Sequence, residues 1–245
     1  MRFITLLILI LIFSVSGLFA QNDLTDVSLY HNTYEPSEVI DPTYGIKMYE
    51  PLNMMLGNDS TRNDNNGYAA NGFLEDYYKS GELLHKGFYV EGQLKIYKNY
   101  YPSGNIERNF RMTDLKKSKM TLYYDKEDLI KSDAVYIENE ALKWTDYYQN
   151  GNMEFEEEYH KSFQYYIKKA NYYENGKPEN VLELIDKKKL VYTQSYYYDN
   201  GNLKEQGSVK YNKAMFDYER IGVWKLFDKD GNPTKQQKYI NGVAQ

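Results

Sequence analysis

The run Leu142-Lys143-Trp144-Thr145-Asp146-Tyr147-Tyr148-Gln149-Asn150-Gly151-Asn152-Met153-Glu154-Phe155-Glu156-Glu157-Glu158-Tyr159 decides the fold. At its centre Asn150-Gly151 is a tight-turn dipeptide, because glycine adopts positive φ without steric penalty. Past the turn, Met153, Phe155 and Tyr159 point one way while Glu154, Glu156 and Glu158 point the other, the period of two that marks a strand with one wet face. The glutamates read as a solvated strand face and not as an acidic catalytic cluster. The segment spells strand, turn, strand.

The same sentence recurs along the chain. Tyr77-Tyr78 precede Gly81, Tyr100-Tyr101 precede Gly104, Tyr172-Tyr173 precede Gly176 and Tyr197-Tyr198 precede Gly201, while a looser copy, Leu226-Phe227, precedes Gly231 with one extra turn residue. The glycines at 81, 104, 151, 176, 201 and 231 are separated by 23, 47, 25, 25 and 30 residues. The gap of 47 is twice 23.5 and calls for a hidden copy, which Tyr123-Tyr124-Asp125-Lys126-Glu127 supplies with Glu127 in the glycine position. Seven copies of a roughly 23 to 25 residue unit predict an all-β protein: tandem β-hairpin repeats forming an elongated, twisted antiparallel meander sheet. About fourteen strands at roughly 4.8 Å spacing would extend about 67 Å.

Adjacent residues of a strand face opposite ways, so each tyrosine pair is expected to set one ring on either side of the sheet. With 28 tyrosines against 10 phenylalanines and 2 tryptophans, both faces are expected to be half-buried, an environment that suits a broad ring with a wet hydroxyl. The first members of the pairs, Tyr77, Tyr100, Tyr123, Tyr147, Tyr172 and Tyr197, form the candidate binding surface. Trp144 is set apart from them as the larger anchor of its strand.

The pattern Tyr-Tyr-x-x-Gly-x-apolar, together with Gly222-Val223-Trp224-Lys225-Leu226-Phe227 and Tyr239-Ile240-Asn241-Gly242, resembles the MORN-repeat-variant family over about residues 72 to 242. Bacterial members of that family are often labelled YwqK-like antitoxin components. The resemblance implies hairpin repeats and an interaction role, and it offers no catalytic motif to carry over.

The chain begins Met1-Arg2, runs apolar from Phe3 to Phe13 and reaches Ala20, the parts of a secretory signal peptide over residues 1–20 with cleavage before Gln21. Leu18 is bulkier than is usual three positions before a cut, so retention of the leader as an anchor is the alternative. An exported protein of periplasmic, cell-surface or extracellular location, in a bacterium, would be carried away from any cytoplasmic toxin. Residues 21–71 read as a linker and repeat cap: Tyr44 to Leu56 is expected to cover the open edge of the first repeat, the polar run from Asn58 to Gly67 to be a loop, and residues 22 to about 43 to be poorly ordered. Residues 72–245 hold the repeats.

The net charge of −5 becomes −6 once Arg2 leaves with the leader, which gives the whole chain no electrostatic reason to seek nucleic acid or anionic lipid. Without cysteine there is no thiol nucleophile, disulfide or lipid-anchored cysteine, and no glycine-rich phosphate loop is present. His31, His85 and His160 have no second histidine at ligand spacing and read as ordinary surface or sheet residues. Asp228-Lys229-Asp230-Gly231-Asn232 has its glycine too early for an EF-hand and lies on the repeat grid, so it reads as a turn. Lys187-Lys188-Lys189 reads as a solvated loop, since three lysines make no basic stripe.

These readings point to a non-enzymatic exported module that needs no cofactor and presents an aromatic sheet to another protein, with no membrane span after leader removal. Glycan recognition by stacked tyrosines is the second reading, and an antitoxin-like role the third.

Overall fold

The computed structural model describes residues 32–114 and 116–245, so the leader and His31 lie outside the described residues. A single sheet of 16 strands runs in sequence order from end to end. Its seven hairpins are β2 (Gly72–Tyr78) with β3 (Leu83–Val90), β4 (Gln93–Tyr100) with β5 (Ile106–Met112), β6 (Lys117–Tyr123) with β7 (Ile130–Ile137), β8 (Glu140–Tyr147) with β9 (Met153–Tyr159), β10 (Tyr166–Tyr172) with β11 (Pro178–Asp186), β12 (Val191–Tyr197) with β13 (Leu203–Asn212), and β14 (Asp217–Phe227) with β15 (Pro233–Ile240). Two-residue strands close the ends: β1 (Thr33–Tyr34) runs parallel to β2, and β16 (Val243–Ala244) antiparallel to β15. The all-β meander expected from the period is the fold observed, hidden copy included. No helix among the described residues is long and apolar enough to cross a membrane.

Each repeat turn is built alike. The amide of Gly151 donates to the carbonyl of Tyr148 and the amide of Tyr148 to that of Asn152, the same pattern as at Gly81, Gly104, Gly176 and Gly201. Glycine takes the left-handed position, φ +85° at Gly151, that a three-residue hairpin loop requires. The copy at Glu127 reaches the same end with a longer loop, Leu129 bonding to Tyr124 and Asp128 taking φ +53°.

Every such turn brings a bulge at the residue before the second aromatic, as between Asp146 and Tyr147 or between Asn171 and Tyr172. On the side of the preceding hairpin, strand pairing stops one residue earlier still: the last partners are Asn99, Leu122, Asp146, Asn171, Tyr196 and Leu226. The next carbonyl is therefore left without a strand partner, a condition that folded backbones rarely tolerate. The second tyrosine of the preceding repeat fills it. Tyr78 Oη donates to the Tyr100 carbonyl at 2.7 Å, Tyr101 to Tyr123 at 3.0 Å, Tyr124 to Tyr147 at 2.7 Å, Tyr148 to Tyr172 at 2.8 Å, Tyr173 to Tyr197 at 2.9 Å and Tyr198 to Phe227 at 3.0 Å. In the later repeats the turn asparagines add a parallel row, with Asn150, Asn175 and Asn200 donating to the carbonyls of Glu174, Asp199 and Lys229.

The two sheet faces differ. One face of β2 to β8 is covered by residues 34–56, whose Ile46, Tyr49 and Met55 pack with Tyr78, Tyr97, Phe110 and Tyr136 into a core that reaches Trp144. The segment thus spreads across several hairpins, because its apolar side chains find more buried area on a face than at an edge. Residues 33–34 pair with Tyr77 and Tyr78, and Pro36–Val39 forms a single helical turn, so the stretch before Tyr44 is part of the folded structure from residue 33. Farther along the same face a second core forms with no segment over it: Leu182, Tyr192, Val209 and Trp224, partly covered by Tyr218 and Tyr239. Trp224, fully buried, lies flat on Gly207, where any Cβ would sit 2.3 Å from its ring. Arg220 stacks over the indole at 3.9 Å from the ring centre and is held there by a bidentate pair with Glu205.

The ladder yields a direct test. Tyr148→Phe removes one hydroxyl and leaves a carbonyl unfilled, which should cost about 1 kcal/mol in equilibrium unfolding. Tyr147→Phe, which spares the ladder, should cost less; equal losses for the two would show that the rungs do not couple the repeats.

Candidate functional site: a groove beside the cap

Beneath residues 34–56 the sheet carries charge where a core is normally apolar. Asp76 accepts two bonds from Arg62, at 2.5 and 2.7 Å, and one from Tyr49 Oη at 2.8 Å. His85, fully buried, stacks on Tyr49 with ring centres 3.6 Å apart. Its Nδ1 meets Asn99 Oδ1 at 2.8 Å and its Nε2 meets Tyr89 Oη at 2.9 Å. Gly87 makes room for it, since a Cβ there would lie 2.5 Å from the imidazole. His85 is thus a residue of the sheet, as expected, but a buried one that packs in the core and not a surface one. Burial holds its pKa down at about 4, against which the bond to Asn99 and the charge of Asp76 act only weakly.

A second charged group lies deeper along the face. Arg108 and Glu107 are both buried, and Arg108 also pairs closely with Glu50 of the cap. Burial alone would lower the Arg108 pKa, yet Glu107, Tyr97 and Glu50 more than offset it and keep the guanidinium charged. Burial raises the pKa of Glu107, whose Oε1 accepts the Ile46 amide at 3.1 Å. These pairs fix the cap in one position, because an ion left unpaired in that interior would cost several kcal/mol.

Where the cap ends, over β6 to β9, a groove of about 500 Å³ opens. Met120, Leu122, Tyr136 and Trp144 form its floor, and Tyr44, Lys47 and Glu50 of the cap form one wall. Trp144 is half-buried, and its ring meets Tyr136 edge-on at 6.5 Å. The indole N–H donates to Asp146 Oδ1 at 2.7 Å, and the Ser132 hydroxyl donates closely to the same oxygen, so the carboxylate faces the groove with its other oxygen. Lys47 sits 4.3 Å over the Tyr44 ring, and Lys131 ties the wall to the sheet through the Thr43 carbonyl at 2.9 Å. An aromatic floor with a few placed polar groups is the usual make-up of a binding pocket.

Of the six tyrosines marked from the sequence, only Tyr147 lines this groove. All six are half-buried. Tyr77 donates to Glu75 at 2.6 Å and Tyr172 to Glu156 at 2.5 Å, while ion pairs Lys86–Glu75, Lys119–Asp133 and Lys168–Glu156 run beside the row on the face away from the cap. Tyr100 belongs to the same surroundings, near Lys86 and Glu75, and strand alternation puts Tyr123 and Tyr197 with them. Three of the glutamates of β9 are engaged: Glu156 holds Lys168 and Tyr172, Glu157 lies 3.9 Å from Lys169 and Glu158 3.7 Å from Lys143. Burial would raise the Glu156 pKa, but Lys168 and Tyr172 reverse the shift and lower it. The lysines at 187 to 189, three in the sequence, stand in the fold beside Lys210 and Lys213.

Residues 142–161 and 193–211 match the family model described as MORN repeat variant. Two of the seven hairpins thus match MORN-variant repeats. The matched stretches are most of β8 with the whole of β9, and most of β12 with most of β13, so each match falls on one hairpin and includes its tyrosine pair. Nothing among curated proteins matches the chain. Among solved structures it has 9% identity to a mutant of S. aureus TarM in complex with Fondaparinux, alpha-GlcNAc-glycerol and UDP. That likeness covers 51% of this chain and 19% of that chain at a TM-score of 0.23, too low to carry an argument.

The buried imidazole makes the cap sensitive to acid. A histidine whose folded pKa is lowered binds its proton in the unfolded chain first, so its contribution is complete above about pH 6.5 and is lost as pH falls toward 4, about 3 kcal/mol in all. Glu107, with a raised folded pKa, acts in the opposite sense, so the informative quantity is the difference between the wild type and His85→Gln. That difference in unfolding free energy should shift by about 3 kcal/mol in favour of the variant between pH 7 and pH 4. A constant difference, or an NMR titration of His85 near 6.5, would contradict the buried neutral ring.

Proposed function

We propose that the protein is an exported, non-enzymatic repeat module that binds another protein through the groove beside the cap. The observation that carries this reading is Trp144, only partly buried at the place where the cap stops and the sheet face continues uncovered. Tryptophan and tyrosine in a partly desolvated cleft are the residues that dominate protein interfaces, and a rim of Lys47, Glu50 and Glu154 suits the polar surround of such a contact. The partner chemistry that fits is an extended segment with an apolar side chain for the Trp144 floor and a hydrogen-bond donor for the free oxygen of Asp146. MORN-variant repeats as an interaction architecture agree with this.

A glycan is the second reading, favoured by Tyr44, 58% exposed, standing opposite Trp144 beside carboxylates. Trp144→Ala should lower capture of the partner from the exporting organism at least tenfold at a temperature where the variant is still folded, and, because most of the ring is buried, it should also lower the unfolding midpoint. Loss of binding to envelope glycans with unchanged protein capture would decide for the sugar. If neither is affected, the groove is not the site.

Export is the other half of the proposal and rests on the leader's composition. Cell fractionation should find the protein outside the cytoplasm with Gln21 at its N-terminus and no rescue of growth against a cytoplasmic toxin. Cytosolic protein retaining Met1 and bound to an intracellular partner would restore the antitoxin reading.

A further inference from the structure

Six asparagines are followed directly by glycine: Asn66, Asn71, Asn150, Asn175, Asn200 and Asn241. In such a pair the glycine amide nitrogen can reach the asparagine side-chain carbon Cγ, since no Cβ on the second residue crowds the approach. Four of the six side chains are tethered through both their nitrogen and their oxygen. Asn71 donates to the Ala69 carbonyl and accepts the Glu91 amide, and Asn150 donates to the Glu174 carbonyl and accepts the Asn152 amide. Asn175 and Asn200 repeat the arrangement, the first with Asp199 and Lys177, the second with Lys229 and Asn202. To react, the side chain must turn toward its own glycine, and giving up two bonds of ordinary net worth slows that by roughly thirtyfold.

The side chains of Asn66 and Asn241 have no such tether among the described residues. Their surroundings differ in charge. Asp64 faces Asn66, its Oδ1 accepting the amides of Asn66 and Tyr68, and Arg62 in the same recess is engaged by Asp76. A carboxylate there opposes loss of the proton from the Gly67 nitrogen. Asn241 stands instead on the lysine-bearing rim, in a groove of about 550 Å³ with Lys187, Lys188, Lys189, Lys210 and Lys213. None of these five ammonium groups pairs with a carboxylate among the described residues. The nearby acids are engaged elsewhere: Asp186 accepts the amides of Lys188 and Lys189, and Glu219 accepts from Asn212. Arg220 is held over Trp224 by Glu205, and Lys187 Nζ sits 3.4 Å from His160 Nε2. The resulting positive field favours the anion that forms when the Gly242 amide loses its proton. The turn is also weakly held, because Asn241 takes φ +48° and only the two-residue strand β16 follows it. Local opening that frees the Gly242 amide from the Arg220 carbonyl is easiest at such an end.

We propose that Asn241 is a deamidation site, converting spontaneously to aspartate and isoaspartate ahead of the other five asparagine–glycine pairs. The Gly242 nitrogen, its proton lost to solvent base, bonds to Cγ of Asn241; the Cγ–Nδ2 bond breaks, and the side-chain nitrogen takes a proton from water and leaves as ammonia. Water then opens the cyclic imide at either carbonyl. Both products place a carboxylate among the unpaired lysines, and isoaspartate also lengthens the backbone by one carbon, so β16 loses its register with Tyr239 and Ile240. The groove beside the cap plays no part in this chemistry.

Incubation of the full chain at mildly alkaline pH, followed by peptide mass spectrometry that places each amide-to-carboxylate exchange, tests it. Cleavage after Lys238 isolates residues 239–245. Asn241 should convert severalfold faster than Asn66, and at least roughly thirtyfold faster than Asn150, Asn175 and Asn200. Both K210E/K213E and added salt should bring Asn241 down toward the rate of Asn66, the internal control; the salt series reads the effect in the wild type, whatever the stability of the variant. Equal conversion of Asn241 and Asn150, or an Asn241 rate indifferent to both the substitutions and salt, would overturn the proposal.

Discussion

One hydrogen bond holds this molecule's repeats in order: the hydroxyl of a tyrosine reaching the backbone carbonyl that the next turn leaves unpaired. The turn and its bulge come first, since the glycine conformation ends the strand pairing early and exposes that carbonyl. Tyrosine is the side chain whose ring can pack along the sheet and still deliver a donor at its far end. Each rung joins one hairpin to its neighbour and to no other, so order passes along the sheet by nearest-neighbour contacts. The asparagine row at the turn tips repeats the device in the later copies.

Against this regular framework the cap introduces asymmetry. It brings Tyr49 and Glu50 down onto Asp76, His85 and Arg108, with Arg62 of the loop that follows it completing the Asp76 site, and those contacts need exact partners where an apolar seam would accept many. The cap therefore has one seat, and the place where it stops is fixed as well. That boundary makes the groove, with Trp144 neither roofed like His85 nor sealed by a stacked arginine like Trp224.

The fold was legible because its signal is local and repeated. A glycine at positive φ after two aromatics can be counted without knowing any distant neighbour, and even the copy with Glu127 in place of glycine falls on the grid. The candidate site was less legible. The tyrosines singled out, from Tyr77 to Tyr197, are the first of each pair, whereas the ladder belongs to the second, a distinction that appears only when one repeat is laid against the next. Glu107 and Ile46 meet across 61 residues, so nothing near either announces the contact. Lys187 and Lys213 likewise become neighbours only through the strands between them, and a net charge summed over the whole chain conceals the field they make together.

Because successive hairpins are joined by identical rungs, the sheet works as a ruler. Each repeat adds two strands, or about 10 Å, and returns the chain to the same rim and the same face. Inserting or deleting one unit between β9 and β12 would move the groove and the lysine-bearing rim apart or together by that step, without rotating either to the other side. Copy number in this chain is then a length setting, free to change by gain or loss of a whole unit while the two ends keep their chemistry.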